Sequence, residues 1–207
     1  MKQAQEYEKD IASIRTMMER SAKFISLSGL SGVLAGVYAL GGVAVAYFLV
    51  RYPISPVDYQ TYSISEPDTL LKLIGVATVV LIASISSGLW LSRRKAKKQG
   101  ISLWSPASRV LLMNLGVPLV AGGIFILIML YTGHFGLAAP SCLIFYGIAL
   151  IQGSSNTYEE VRYLGFCEIM LGLISALRPE YGLIFWALGF GLLHIVYGVI
   201  MYNKYDK

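Results

Sequence analysis

Residues 160–203 read EVRYLGFCEIMLGLISALRPEYGLIFWALGFGLLHIVYGVIMYN, two apolar runs joined by the turn Arg178-Pro179-Glu180. Each run is about the length, ~17 to 25 residues, that a helix needs to cross a hydrocarbon layer. Each also carries one ionisable side chain in its middle, Glu168 in the first and His194 in the second. Backbone that lies in lipid has to satisfy its own hydrogen bonds, so the stretch is expected to be a transmembrane helical hairpin with an acid and an imidazole inside it.

The rest of the chain has the same character. Of its 207 residues 56% are apolar and only 14% are charged, against about half and a quarter in soluble domains. Apolar runs at 24–50, 70–92, 107–132, 135–153, 161–178 and 181–202 define six spans, and the fold class expected is an all-α membrane protein. The domains are then a polar segment over 1–23, a six-span membrane domain over 24–203 and a short tail over 204–207. In the segment 1–23, Tyr7, Ile11, Ile14 and Met18 form one stripe of an amphipathic helix. Such a helix can lie along the headgroups, and it also offers a surface to a soluble partner or a second copy of the chain.

Charge sets the orientation. The 17 Lys and Arg residues divide fourteen to three, with only Arg51, Lys72 and Arg178 on the side opposite the termini. The positive-inside rule therefore places both termini in the cytoplasm. Arg93, Arg94, Lys95, Lys97 and Lys98 crowd the second connection; between two spans they are expected to meet anionic lipid headgroups, not nucleic acid. Cys142 and Cys167 lie in apolar runs with no metal-ligand spacing, so neither a metal site nor a disulfide framework is expected.

Glycine phase suggests an internal repeat. In the odd spans Gly29 and Gly36, Gly116 and Gly123, and Gly165 and Gly172 each stand seven apart, close to two helical turns. The even spans carry Ser84-Ile-Ser-Ser-Gly88, Leu143-Ile-Phe-Tyr-Gly147 and His194-Ile-Val-Tyr-Gly198 in matching positions. Three hairpins in phase are expected, with the paired glycines and Gly198 on faces where another backbone comes close.

The third hairpin, with its Gly165 and Gly172 face, its Arg178-Pro179-Glu180 turn and its closing Tyr197-Gly198, resembles the repeat unit of the acid-resistance membrane protein family (HdeD-like). That resemblance implies six spans in three hairpins and a non-enzymatic role in stress response or scaffolding. The segment Arg20-Ser-Ala-Lys-Phe-Ile-Ser-Leu-Ser-Gly-Leu-Ser-Gly-Val is similar to the start of uncharacterised six-span bacterial membrane proteins, which implies a bacterial inner membrane. The long polar N-terminus and the long first outer loop depart from the HdeD-like pattern.

Within the third hairpin Gly165, Glu168 and Gly172 follow i, i+3, i+7, as do Gly191, His194 and Gly198. Both ionisable groups are thus expected on glycine faces, about 15 and 20 Å from the turn at ~1.5 Å per residue. An isolated charge at that depth costs at least ~2.5 kcal/mol, so Glu168 should find a partner, with His194 first and Tyr146, Tyr163 and Tyr197 as alternative donors. Glu168 and His194 are expected within hydrogen-bond reach, directly or through one water, in a contact worth about 0.5 to 2 kcal/mol. Such a pair either fixes helix register or carries protons for a small transporter, channel or sensor. The sequence holds no phosphate loop, nucleophile elbow or paired-histidine metal motif, and neither enzymatic activity nor a cofactor is expected.

Overall fold

In the computed structural model the described residues are 26–48, 67–100 and 102–207, and they are helical without any strand. The amphipathic helix expected over 1–23 and the first outer loop lie outside the described residues. The elements are α1 (Gly29–Phe48), α2 (Pro67–Lys98), α3 (Pro106–Tyr131), α4 (Ala138–Ser154), α5 (Glu160–Leu177), α6 (Gly182–Trp186), a π-helical stretch Ala187–Leu193, and α7 (His194–Tyr205). Five segments are long and apolar enough to cross a membrane: Gly29–Phe48, Asp68–Lys98, Pro106–Tyr131, Phe135–Ser154 and Pro179–Tyr205. The 18-residue α5 carries Glu160, Arg162 and Glu168 and so has no equally long stretch as free of charge as theirs.

Local chemistry sets the helix ends. Pro106 opens α3 in the first turn, where its missing N–H costs nothing, and Ser105 and Ser108 cap each other's backbone reciprocally. Gly100 after α2 and Gly133 after α3 take positive φ angles of 65° and 79°, the left-handed conformation that terminates a helix most cheaply in glycine. The α2 helix runs on through the basic cluster to Lys98 instead of ending at 92. The cluster is therefore a set of helical turns, not a loop.

Two glycine seams organise the packing. At the first, α1 crosses the π-helical stretch and α7: a methyl group on Gly36 would lie 2.6 Å from the Gly191 carbonyl oxygen, and one on Gly198 would lie 2.7 Å from that of Gly29. At the second, α5 crosses α4: a methyl on Gly172 would lie 3.0 Å from the Pro140 carbonyl oxygen, and one on Gly147 2.6 Å from that of Gly165. In both places only glycine lets the backbones approach so closely, and close backbone approach maximises dispersion contact where lipid gives no hydrophobic drive. The expectation fails at Gly116 and Gly123, which have nothing near them among the described residues; on α3 it is the neighbouring Gly122 that packs, against Phe145. Helix α2 packs on α1 and α3 on α4, while among the described residues α2 and α3 share at most marginal contact.

A polar knot closes the basic end. Asp206 accepts hydrogen bonds from Ser28 Oγ at 2.9 Å, from Gly29 N at 2.8 Å and from Lys95 Nζ at 2.6 Å. It thereby caps the start of α1 with a carboxylate, favourable against the helix dipole, and draws the end of α2 onto the same point. Lys95 also donates to the Leu27 carbonyl, so this residue of the cluster is turned inward and differs from the exposed headgroup contact expected of it. Beside it Lys204 pairs with Glu160, and Tyr205 donates to Glu160 at 3.1 Å, joining the end of α7 to the start of α5.

Candidate functional site

Glu168 is 0% exposed and His194 6% exposed. They meet between α5 and the start of α7, with His194 Nδ1 at 3.4 Å from Glu168 Oε1. The two are as close as expected, but no direct hydrogen bond joins them. Nδ1 is 3.0 Å from the Gly189 carbonyl oxygen and Nε2 is 2.9 Å from the Tyr146 hydroxyl, so both ring nitrogens are already engaged. Among the described residues neither oxygen of Glu168 has a hydrogen-bond partner.

The imidazole can satisfy this network in two ways. As the neutral ring, Nδ1–H donates to Gly189 and Nε2 accepts from Tyr146 O–H. As the imidazolium, both nitrogens donate and the tyrosine oxygen accepts. The first state suits a neutral Glu168, because an ionised carboxylate without a donor in a dry interior costs several kcal/mol. The second suits an ionised Glu168 beside a cation. A single proton can therefore sit on either residue with His194 fully bonded in both cases.

The π-helical stretch makes this geometry. Gly189 and His194 are five residues apart, which on an α-helix would separate them by roughly 140°. The i to i+5 winding of a π-helix instead stacks one over the other, so the imidazole reaches the Gly189 carbonyl. Gly189 also opens the niche for the acid: a methyl group there would lie 2.6 Å from Glu168 Oε2 and 2.5 Å from Leu143 Cδ2. The aromatic rings of Phe190 and Tyr146 flank the imidazole at 5.9 and 5.4 Å, and Trp186 packs on Phe190 at 4.7 Å.

Of the other candidate donors, Tyr146 joins the site through His194, not through Glu168. Tyr197 lies beside Tyr146 on the cluster of Leu150, Val161 and Leu164, with its hydroxyl buried and unpartnered. Tyr163 is 67% exposed and takes no part; five residues before Glu168 on an unbroken α-helix, it points well round the cylinder. Cys167 is likewise exposed. The residues that sequence reasoning missed are Gly189 and Phe190. The only signal for them was the closely spaced pair Gly189 and Gly191 ahead of the histidine.

On the side away from the basic knot, beyond Trp186, lies an apolar cavity of about 210 Å³. It is lined by α1, α2, α3 and the turns that open α4 and α6, and neither Glu168 nor His194 reaches it. No family model, curated protein or solved structure matches the chain.

Proposed function

We propose that this chain is a non-enzymatic, six-span protein of a bacterial inner membrane, of stress-response or scaffold type, in which the Glu168–His194 pair is the protonation site through which the bundle responds to pH. The six spans are the five long apolar segments and α5, arranged as three hairpins with both termini at the basic, cytoplasmic face. The likeness of the seams supports the repeat: Gly36 stands to Gly191 and Ile195 as Gly172 stands to Pro140 and Ile144. The weak HdeD-like resemblance of the third hairpin supports the stress-response reading.

The observation that carries the site is the fully buried Glu168 carboxyl with no hydrogen bond, 3.4 Å from an imidazole whose own bonds are satisfied in either charge state. A clamp that served only to hold two helices would be hydrogen-bonded; a carboxyl left open is free to gain or lose a proton. Adding a proton to the pair leaves a cation without a counter-charge in the packed interior, which works against the contact of α5 with α7. Thermal unfolding of the detergent-purified protein across acid and neutral pH tests this. Glu168→Gln, whose imidazole has no carboxyl to share its proton with, should lose stability on acidification more steeply than the wild type, and parallel curves would contradict the reading.

A second reading, a small proton-coupled transporter or channel, is favoured by the unpartnered hydroxyl of Tyr197 between Tyr146 and the basic end. A proton gradient imposed on proteoliposomes separates the two. Flux that disappears in Glu168→Gln supports transport, and a pH-dependent stability without flux supports the response reading.

A further inference from the structure

On α7 the residues His194, Tyr197, Met201 and Tyr205 follow i, i+3, i+7 and i+11, one helix face running from the buried pair to the basic end. At ~1.5 Å per residue the face is roughly 16 Å long. Met201 is fully buried and a methyl group on Gly32 of α1 would lie 3.2 Å from the Tyr197 ring, so this face is turned into the bundle. Hydroxyls mark its length. Tyr146 is bonded to His194 Nε2 at 2.9 Å. Tyr146, Tyr197 and Tyr158 all pack on the cluster of Leu150, Val161 and Leu164. The rings of Tyr158 and Tyr205 lie 4.1 Å apart, and Tyr205 donates to Glu160 at 3.1 Å. Between these two ends the Tyr197 hydroxyl is buried without a partner among the described residues. Such a group is costly unless something bonds to it, and a buried water, which takes about three hydrogen bonds, can serve both it and Tyr146.

In the other direction the pair is shut in by the fully buried Leu143 and by Phe190 and Trp186, beyond which the cavity lining carries no charged side chain. The unpartnered polar atom on that side is Ser175 Oγ, seven residues past Glu168 on α5. Between the two, Gly172 lies so close to Ile144 and the Pro140 carbonyl that not even a methyl group fits.

We infer that Glu168 and His194 exchange protons with the basic end of the bundle alone, through the hydroxyls of Tyr146 and Tyr197 joined by water. The inference rests on the protonation reading of the pair and adds the side whose pH it reads; access from one side suits a response to pH and not transport. Inward, His194 Nε2 takes the proton of Tyr146 O–H, the tyrosine oxygen is reprotonated from the water, the water from Tyr197, and Tyr197 from the basic end. One proton is gained and none lost, and Tyr146 ends as acceptor of the Nε2–H bond. Facing the relay are Glu168 from α5, Tyr146 from α4 and Tyr158 before α5, with Lys95 over the Tyr158 ring at 5.5 Å. At its mouth Glu160 and Lys204 are 17% and 59% exposed, beside Tyr205 and Asp206. Neither α1 nor the π-helical stretch carries an Asp, Glu, Lys, Arg or His.

The full chain carrying His134→Gln has His194 as its sole histidine. With isotope-labelled histidine and in lipid nanodiscs, nuclear magnetic resonance reads both the charge of that ring against pH and the rate at which its N–H hydrogens exchange in deuterated water. Tyr197→Phe keeps the ring and removes only the unpartnered hydroxyl; it should titrate with the wild-type midpoint and exchange about tenfold more slowly. Ser175→Ala should exchange at the wild-type rate. Unchanged exchange in Tyr197→Phe, or slowed exchange in Ser175→Ala, would overturn the inference and leave the protonation reading standing. An imidazole that keeps one charge state at every pH in the wild-type background would overturn both.

Discussion

Glu168 Oε1 and His194 Nδ1 stand 3.4 Å apart in the packed interior without sharing a hydrogen bond, because the imidazole N–H is turned to the Gly189 carbonyl. The acid is thus close enough to feel the charge of the ring and yet contributes no directed bond to the fold.

Replacing Glu168 with leucine should consequently leave stability unchanged or raise it by about 1 to 2 kcal/mol, since a buried polar group with no partner is exchanged for an apolar one of similar size. Chemical or thermal unfolding in detergent measures this. A loss of more than about 1 kcal/mol would mean that the carboxyl is bonded after all.

Gly189→Ala should destabilise by about 1 to 3 kcal/mol, the cost of overpacking, because the new methyl meets Glu168 Oε2 and Leu143 Cδ2. Combining it with Glu168→Ala should recover part of that loss. A double-mutant cycle with no coupling between the two positions would separate Gly189 from the acid.

Glycines of the same phase should behave differently. Gly172→Val drives a side chain into the α4 backbone and is expected to cost several kcal/mol or prevent folding. Gly123→Val meets nothing among the described residues and should change stability by no more than about 0.5 kcal/mol. Expression yield and melting temperature of the two variants, measured side by side, check this contrast.

Much of this was legible in the sequence. Ionisable groups are costly inside apolar helices, so Glu168 and His194 had to turn from lipid and could be expected to meet. Glycines at two-turn spacing marked both seams. Period alone, however, cannot say whether a small-residue face meets protein or lipid, which is why Gly116 and Gly123 read like Gly165 and Gly172. The role of Gly189 was hidden for another reason: α-helical counting puts it away from His194, and only the π-helical winding stacks them. Lys95 looked like its basic neighbours, and its inward turn depends on Asp206, more than a hundred residues away.

Alkaline pH should loosen the basic end. Burial, followed by the charge of Asp206, pushes the Tyr158 phenol from its ordinary value of 10.0 up to about 12. A group raised in the folded state contributes stability that is complete below its unfolded value and is lost as pH climbs through the folded one. The melting temperature should therefore fall between pH 10 and about 12, and less so in Tyr158→Phe. Equal slopes for the two proteins would remove Tyr158 from the interactions that hold that end.

Infrared difference spectroscopy of the reconstituted protein during a pH jump tests the central claim most directly, because a carboxyl that gains or loses a proton changes its C=O stretching band. Expected is a carboxyl band characteristic of a dry environment, slow to shift in deuterated water, absent from Glu168→Gln and displaced in His194→Gln. A difference spectrum identical in wild type and Glu168→Gln would show that Glu168 does not exchange protons and that the pair is structural alone.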